Sequence, residues 1–180
     1  MSKTQQSSAS YPQHLISHHT LSDGTDITVR PARPGDKELI QEFVGHLSSE
    51  LKHLNYMENF KDMPDNMLKI LNQIDYKKTM VFIATYQKNE KESVIGMVQY
   101  ATMDETSCEF DMIVSDAWQN RGIGTQLTKV FIKAAIENGI KTIKIIILAS
   151  NLSGLALAKR YGFTVSSSDD PTVKIVTKEL

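Results

Sequence analysis

Trp118-Gln119-Asn120-Arg121-Gly122-Ile123-Gly124 stands between the β-prone run Cys108 to Val114 and a periodic apolar set, Ile123, Leu127, Val130, Phe131 and Ala134. The spacing of that set predicts a helix over Gly122 to Asn138, with Gly139 placed to end it. A strand, a glycine-bearing loop and a helix start, in that order, suggest an anion site. The first backbone N–H groups of a helix lack internal partners and carry the positive end of its dipole, so they can hold a phosphate. Glycines at 122 and 124 permit close backbone approach, and Arg121 is suited to a charge-assisted contact with the same phosphate. The two glycines would equally well allow tight packing of helix on sheet. A dinucleotide fingerprint is excluded, because its third glycine would fall at Leu127 and no acidic residue ends the next strand at Leu148-Ala149-Ser150. A Walker loop is excluded by the lack of a following G-K-[ST].

Working outward, Thr142 to Ala149 reads as a strand buried on both faces, and Asn151 as the cap of a short helix running to Gly162. Phe163 to about Lys178 holds one or two strands around the turn at Asp169-Asp170-Pro171. Upstream, Ile27-Thr28-Val29-Arg30 predicts a first strand, and Asp36 caps a helix carrying Leu39, Ile40, Phe43, Val44 and Leu47. A second helix follows Pro64. Thr79 to Tyr86 and Val94 to Met103 predict a hairpin around the charged loop at Lys88 to Glu92. The order β-α-α-β-β-β-α-β-α-β predicts an α/β (α+β) domain, a mixed sheet with helices on its faces.

Composition sets the outer limits. At 180 residues and 41% apolar the chain can build one core, which rules out disorder throughout. A net charge of −1 and a pI near 6.5 give no overall basic field for nucleic acid or an anionic membrane. The longest apolar run, Ile145 to Ala149, is too short to cross a bilayer, and the amino terminus has no apolar signal core. One cysteine, Cys108, fits a reducing, cytoplasmic setting. Residues 1–20, rich in Ser, Gln and His, are expected to be a disordered tail, leaving 21–180 as the domain. His18 and His19 have no accompanying cysteine or carboxylate cluster, so no metal site is expected.

Gln119-x-x-Gly122-x-Gly124 after a strand, followed by Asn151 and Tyr161-Gly162-Phe163, resembles the GNAT acetyltransferase superfamily. Leu21 to Thr25 leading to Val29-Arg30-Pro31, with Ile74-Asp75-Tyr76 and Ile95-Gly96-Met97-Val98-Gln99-Tyr100, looks most like the acetyltransferase domain of bacterial protein lysine acetyltransferases, which modify acyl-CoA synthetases. The resemblance implies a mostly antiparallel sheet with a splayed strand pair, and acetyl-CoA as co-substrate without a metal. Its pyrophosphate would lie on Gln119, Asn120, Arg121, Gly122, Ile123, Gly124 and Thr125. Its pantetheine arm would lie along the edge formed by Met112, Ile113 and Val114, with Asn151 a further contact. Asn151 serves equally well as a helix cap. Many relatives carry an added regulatory or synthetase-like domain, for which this chain is too short.

An amine of pKa about 10.4 is mostly ammonium at neutral pH, so attack on a thioester needs a base. Glu109 matches the position of the family's general-base glutamate, and Asp111, two residues on and hence on the same face, is the backup. Either carboxylate could instead be merely solvated or paired across strands. A backbone N–H near Ile113 or Val114 is the natural oxyanion donor. The position at which many relatives carry a tyrosine general acid is Ala158 here. A thiol of pKa about 8.5 leaves with little acid assistance, so that departure is tolerable. Cys108 should face away from Glu109 and is not expected to carry an acetyl group.

The acceptor is expected to be a protein lysine ε-amine. The alternatives are a small amine such as a polyamine, amino acid or antibiotic, drawn to Glu50, Glu58, Asp62 and Asp65 in a groove made by the two N-terminal helices and the hairpin, or a non-catalytic module that senses acyl-CoA. Met57, Met63, Met67 and Met112 read as core or pocket lining. The protein is expected to be a monomer or homodimer.

Overall fold

The computed structural model describes residues 10–56 and 63–180. Among these, the strands are β1 Ser17–Thr20, β2 Asp26–Pro31, β3 Thr79–Lys88, β4 Lys91–Thr102, β5 Ser107–Val114, β6 Thr142–Leu148, β7 Thr164–Ser167 and β8 Val173–Glu179. The helices are α1 Lys37–Gly45, α2 Ser49–Tyr56, α3 Asp65–Asn72, α4 Ile123–Glu137 and α5 Leu152–Arg160. The strands form one sheet in the order β1-β2-β3-β4-β5-β6-β8-β7. Every neighbouring pair is antiparallel except β5 with β6. This is the mixed, mostly antiparallel α/β domain expected.

The sheet separates two apolar layers. On one face α4 lays Leu127, Phe131 and Ala134 against Val98, Tyr100 and Cys108, all essentially without exposure. On the other, α1 and α3 bring Ile40, Val44 and Met67 onto Val81, Ile83, Met97 and Ile113. Burial on both faces is why β3 and β4 read as nearly unbroken apolar runs. Asp75 Oδ1 accepts hydrogen bonds from the backbone N–H groups of Lys77, Lys78 and Thr79 at 2.8–3.0 Å, fixing the turn that starts β3.

Four sequence expectations need correction. The tail does not extend to Thr20: Leu15 is buried, Ser17–Thr20 pairs with β2 as the sheet's edge, and the Tyr11 hydroxyl donates to the Pro31 carbonyl at 2.9 Å. Two isolated apolar anchors in a polar stretch suffice to dock it, while residues 1–9 lie outside the described residues. The hairpin turn is shorter than expected. β3 and β4 run on to Lys88 and Lys91, and Asn89 (φ 50°) and Glu90 (φ 64°) make the tight turn that matches strand twist. An extra helix, α2, precedes α3, and the expected Met57, Glu58 and Asp62 lie outside the described residues. Finally, β6 is buried on one face only. Ile143 and Ile147 face the α4 side, whereas Lys144 and Ile146 are exposed, because the apolar layer beneath α1 to α3 is built on β3 to β5 and no β6 side chain joins it, although α2 approaches β6.

Candidate active site

The site begins where two strands part. β5 pairs with β6 only through Ser107–Thr142, Cys108–Ile143 and Glu109–Lys144. Its pairing with β4 continues to Val114 opposite Gly96, and β6 stays paired with β8 as far as Leu148. From Phe110 onward a wedge therefore opens between β5 and β6. Ser115 N–H donates to the Ile95 carbonyl at 3.0 Å, so Ser115 points its backbone groups toward β4. Strand alternation then turns the backbone groups of Met112 and Val114 into the wedge and those of Ile113 toward β4. Of the two expected oxyanion donors, only Val114 faces the gap.

The same alternation sorts the side chains. Phe110 stacks on Phe131 at 4.7 Å between centroids, and Cys108 lies in the same α4-side core. Glu109, Asp111 and Ile113 point to the opposite face, over which α1 to α3 pack. Glu109 is exposed and Asp111 half-buried, so both carboxylates lie on one face as expected. Cys108 has its back to Glu109. Burial, reinforced by the Glu109 charge, pushes its thiol up to about 12, which removes its thiolate near neutrality.

The glycine loop closes one end of the wedge. Gly122 has φ 87° and immediately precedes α4, and a Cβ there would meet nothing within 4 Å. Its role is backbone conformation with open space beside it. Gly124 differs: a Cβ would lie 3.3 Å from Leu157 Cδ2 and 3.8 Å from Met112 Sδ, so this glycine lets α5 and β5 close on α4. Tight packing therefore accounts for Gly124 and not for Gly122. The N–H groups of Ile123, Gly124 and Thr125 open the helix, and intrahelical bonding starts with Gln126 N–H to the Gly122 carbonyl at 3.2 Å. Asn120 holds φ 59°, a conformation asparagine tolerates. Gln119 Nε2 donates to the Val114 carbonyl at 3.2 Å, tying the loop to the end of β5.

Arg121 is engaged on the other side. Its guanidinium pairs with Asp23 from the β1–β2 turn and lies 4.3 Å from the centroid of Trp118, which contacts Tyr86 at 4.5 Å. Asn151 caps α5, accepting from Gly154 N–H at 3.0 Å. Ala158 is buried in the core, and the Tyr161 hydroxyl instead approaches the Thr125 carbonyl at 3.4 Å. Sequence reasoning missed Asp116, whose carboxylate accepts from Ser48 Oγ at 2.6 Å and Ser48 N–H at 3.2 Å. It locks the start of α2 to the segment leading into the loop, a pairing that no local pattern announces. Glu50 and Asp65 are exposed on the first turns of α2 and α3. No three His, Cys, Asp or Glu side chains converge among the described residues, and no helix there is long and apolar enough to cross a membrane.

Comparison with known proteins agrees with this architecture. The sequence model of the acetyltransferase (GNAT) family matches residues 46–163. An acetyltransferase of Pseudomonas aeruginosa is 26% identical over 158 residues, covering 87% of this chain and 85% of its own. The crystal structure of the GNAT domain of Streptomyces lividans PAT superposes with a TM-score of 0.83 at 22% identity, covering 94% of this chain and 99% of that one. A putative acetyltransferase of Salmonella typhimurium, solved with acetyl-CoA, superposes at 0.67 with 20% identity, covering 86% and 94%.

Proposed function

Since the chain belongs to the acetyltransferase (GNAT) family and is an acyltransferase, we propose that it transfers an acetyl group from acetyl-CoA to a primary amine, foremost the ε-amine of a protein lysine. One observation carries the reading: the wedge between β5 and β6 opens at Glu109, receives the backbone of Val114 and ends at the amino terminus of α4. Acetyl-CoA fits the residues present. Open space beside Gly122 and the N–H groups of Ile123, Gly124 and Thr125 suit a pyrophosphate. The backbone groups of Met112 and the N–H of Val114, turned into the wedge, suit the polar groups of pantetheine and the thioester, while the Val114 carbonyl is taken by Gln119.

In this mechanism Glu109 takes a proton from the acceptor ammonium, directly or through one water, and frees the nitrogen lone pair. The nitrogen bonds to the thioester carbonyl carbon, and Val114 N–H holds the oxygen that becomes negative. Collapse breaks the carbon–sulfur bond, the thiolate departs with the electron pair, and the nitrogen, positive since it bonded to carbon, gives up its second proton through solvent to the thiolate, leaving the neutral amide and the free thiol. Since a thiol ionises near pKa 8.5, no tyrosine is required at Ala158. Asn151 steadies the start of α5, and Gln119 holds the loop against β5.

Labelled acetyl-CoA, a cell lysate and the purified protein test this together. Label on lysine residues that disappears with Glu109→Gln supports the reading. Label confined to small amines replaces the acceptor class, and cofactor binding without transfer to any amine overturns the enzyme reading in favour of a sensor.

A further inference from the structure

Gln99 stands in the middle of β4, directly opposite Asp111 on β5 and Val81 on β3. It shares a face with Met97, two residues back, and therefore lies on the side of the sheet where Glu109 and Asp111 point. The residue is 8% exposed, and its Oε1 is a buried side-chain oxygen with no hydrogen-bond partner among the described residues. Val81, opposite on β3, and the same-face neighbours Met97 and Ile113 are apolar and buried, while Asp111, directly opposite on β5, is half-buried, and none of these side chains gives Oε1 a donor. A buried acceptor left without a donor destabilises the fold, and its retention calls for a donor that arrives from outside.

We propose that Gln99 is an acceptor-binding residue whose side-chain carbonyl receives an N–H of the incoming amine and so selects nitrogen over oxygen nucleophiles. This rests on the acetyl-transfer reading above. Gln99 and Asp111, directly opposite in the antiparallel pair, carry Cβ atoms about 4.5–5.5 Å apart, and Glu109, opposite Ala101, is a diagonal neighbour at about 7–8 Å within reach of long side chains, so one nitrogen can lie between the amide of Gln99 and the β5 carboxylates. A primary ammonium brings three N–H donors. One can go to Gln99 while another is surrendered to Glu109. A hydroxyl has a single proton, which the base must take, and it leaves Oε1 unsatisfied on binding. The orphan oxygen thus penalises alcohols at the position where the nucleophile must sit.

The test compares wild type with Gln99→Met, which keeps length and volume but removes the acceptor oxygen, and with Gln99→Glu, which keeps an oxygen in either protonation state. Nα-acetyl-lysine amide and a pool of lysine-containing peptides serve as acceptors. Gln99→Met is expected to raise the KM for the amine at least about tenfold, with the KM for acetyl-CoA unchanged and the melting temperature equal or higher. Gln99→Glu should bring the amine KM back to within about threefold of wild type. An amine KM unaffected by Gln99→Met, or an equal loss in both variants, overturns the assignment while leaving acetyl transfer intact. Absence of transfer to any amine by the wild type overturns both readings.

Discussion

Glu109 and Lys144 form the last rung of the parallel ladder between β5 and β6, and beyond them the strands separate. The carboxylate proposed as base therefore sits at the apex of the wedge, on an exposed position that contributes little packing. Glu109→Gln should cut kcat by about 100-fold or more while leaving stability within about 0.5 kcal/mol. Steady-state kinetics beside thermal melts would check both halves. A small effect here with a large one from Asp111→Asn would transfer the role to Asp111.

Gly122 holds φ 87° with no atom near its absent Cβ. Strain, not crowding, should therefore govern substitutions. Gly122→Ala is expected to cost about 1–2 kcal/mol, and Gly122→Asn distinctly less, because asparagine visits this conformation more readily. Gly124→Ala must instead displace Leu157, so exchanging the added side chain for Asn should make matters worse there. Denaturant midpoints for the four variants would show the opposite rankings.

Much of this was legible beforehand, and the reasons are local. A 3.6-residue period locates α4, a positive φ demands Gly122, and the alternation of β5 sets Cys108 against Glu109. What was not legible depends on tertiary coverage. Thr142 to Ala149 reads as a doubly buried strand because sequence does not record which strands the α1 to α3 layer packs on, and Leu15 lacks the periodic company that marks a core element. Polar residues inside apolar runs, such as Gln99, carry no signal of their own until the register shows what stands opposite.

The pairing of Arg121 with Asp23 is partly exposed, with 28% and 45% side-chain accessibility. Such pairs are worth at most about 1 kcal/mol. If Arg121 is drawn to a phosphate of acetyl-CoA, Asp23 competes for it. Asp23→Ala should then lower the KM for acetyl-CoA by up to about fivefold, with stability almost unchanged, whereas Arg121→Ala should raise it. The gain from Asp23→Ala should fade at high salt, where the competing attraction is screened.

Cys108 offers a negative control. Its thiol is fully buried and pushed up to about 12, chiefly by burial and then by the Glu109 charge, so only about one molecule in ten thousand carries the thiolate at pH 8. N-ethylmaleimide should leave the native protein unlabelled and modify it rapidly in guanidinium. Fast native labelling with loss of activity would restore Cys108 as a candidate acetyl carrier.

Arg30 anchors β2 to the entry of α1. Its side chain is 8% exposed and forks onto Asp36 at 2.7 and 2.9 Å and onto Glu92 at 3.2 Å. Removing one member of a buried pair typically costs about 3 kcal/mol, so Arg30→Met should lower the melting temperature by about 6–12 °C. Burial is the largest influence on the Asp36 carboxyl and pushes its pKa up. Hydrogen bonds from Arg30 and the Arg33 N–H, with both arginine charges, outweigh burial and hold it below the ordinary 3.8. A folded-state pKa below the unfolded one contributes stability in full above about pH 4, and that contribution is lost as the pH falls through the folded value. Melting temperatures taken from pH 7 to pH 3 should therefore drop for the wild type below about pH 4 and drop less for Arg30→Met, which has already lost the partner. Parallel curves for the two proteins would mean that the acid sensitivity arises from carboxylates other than Asp36.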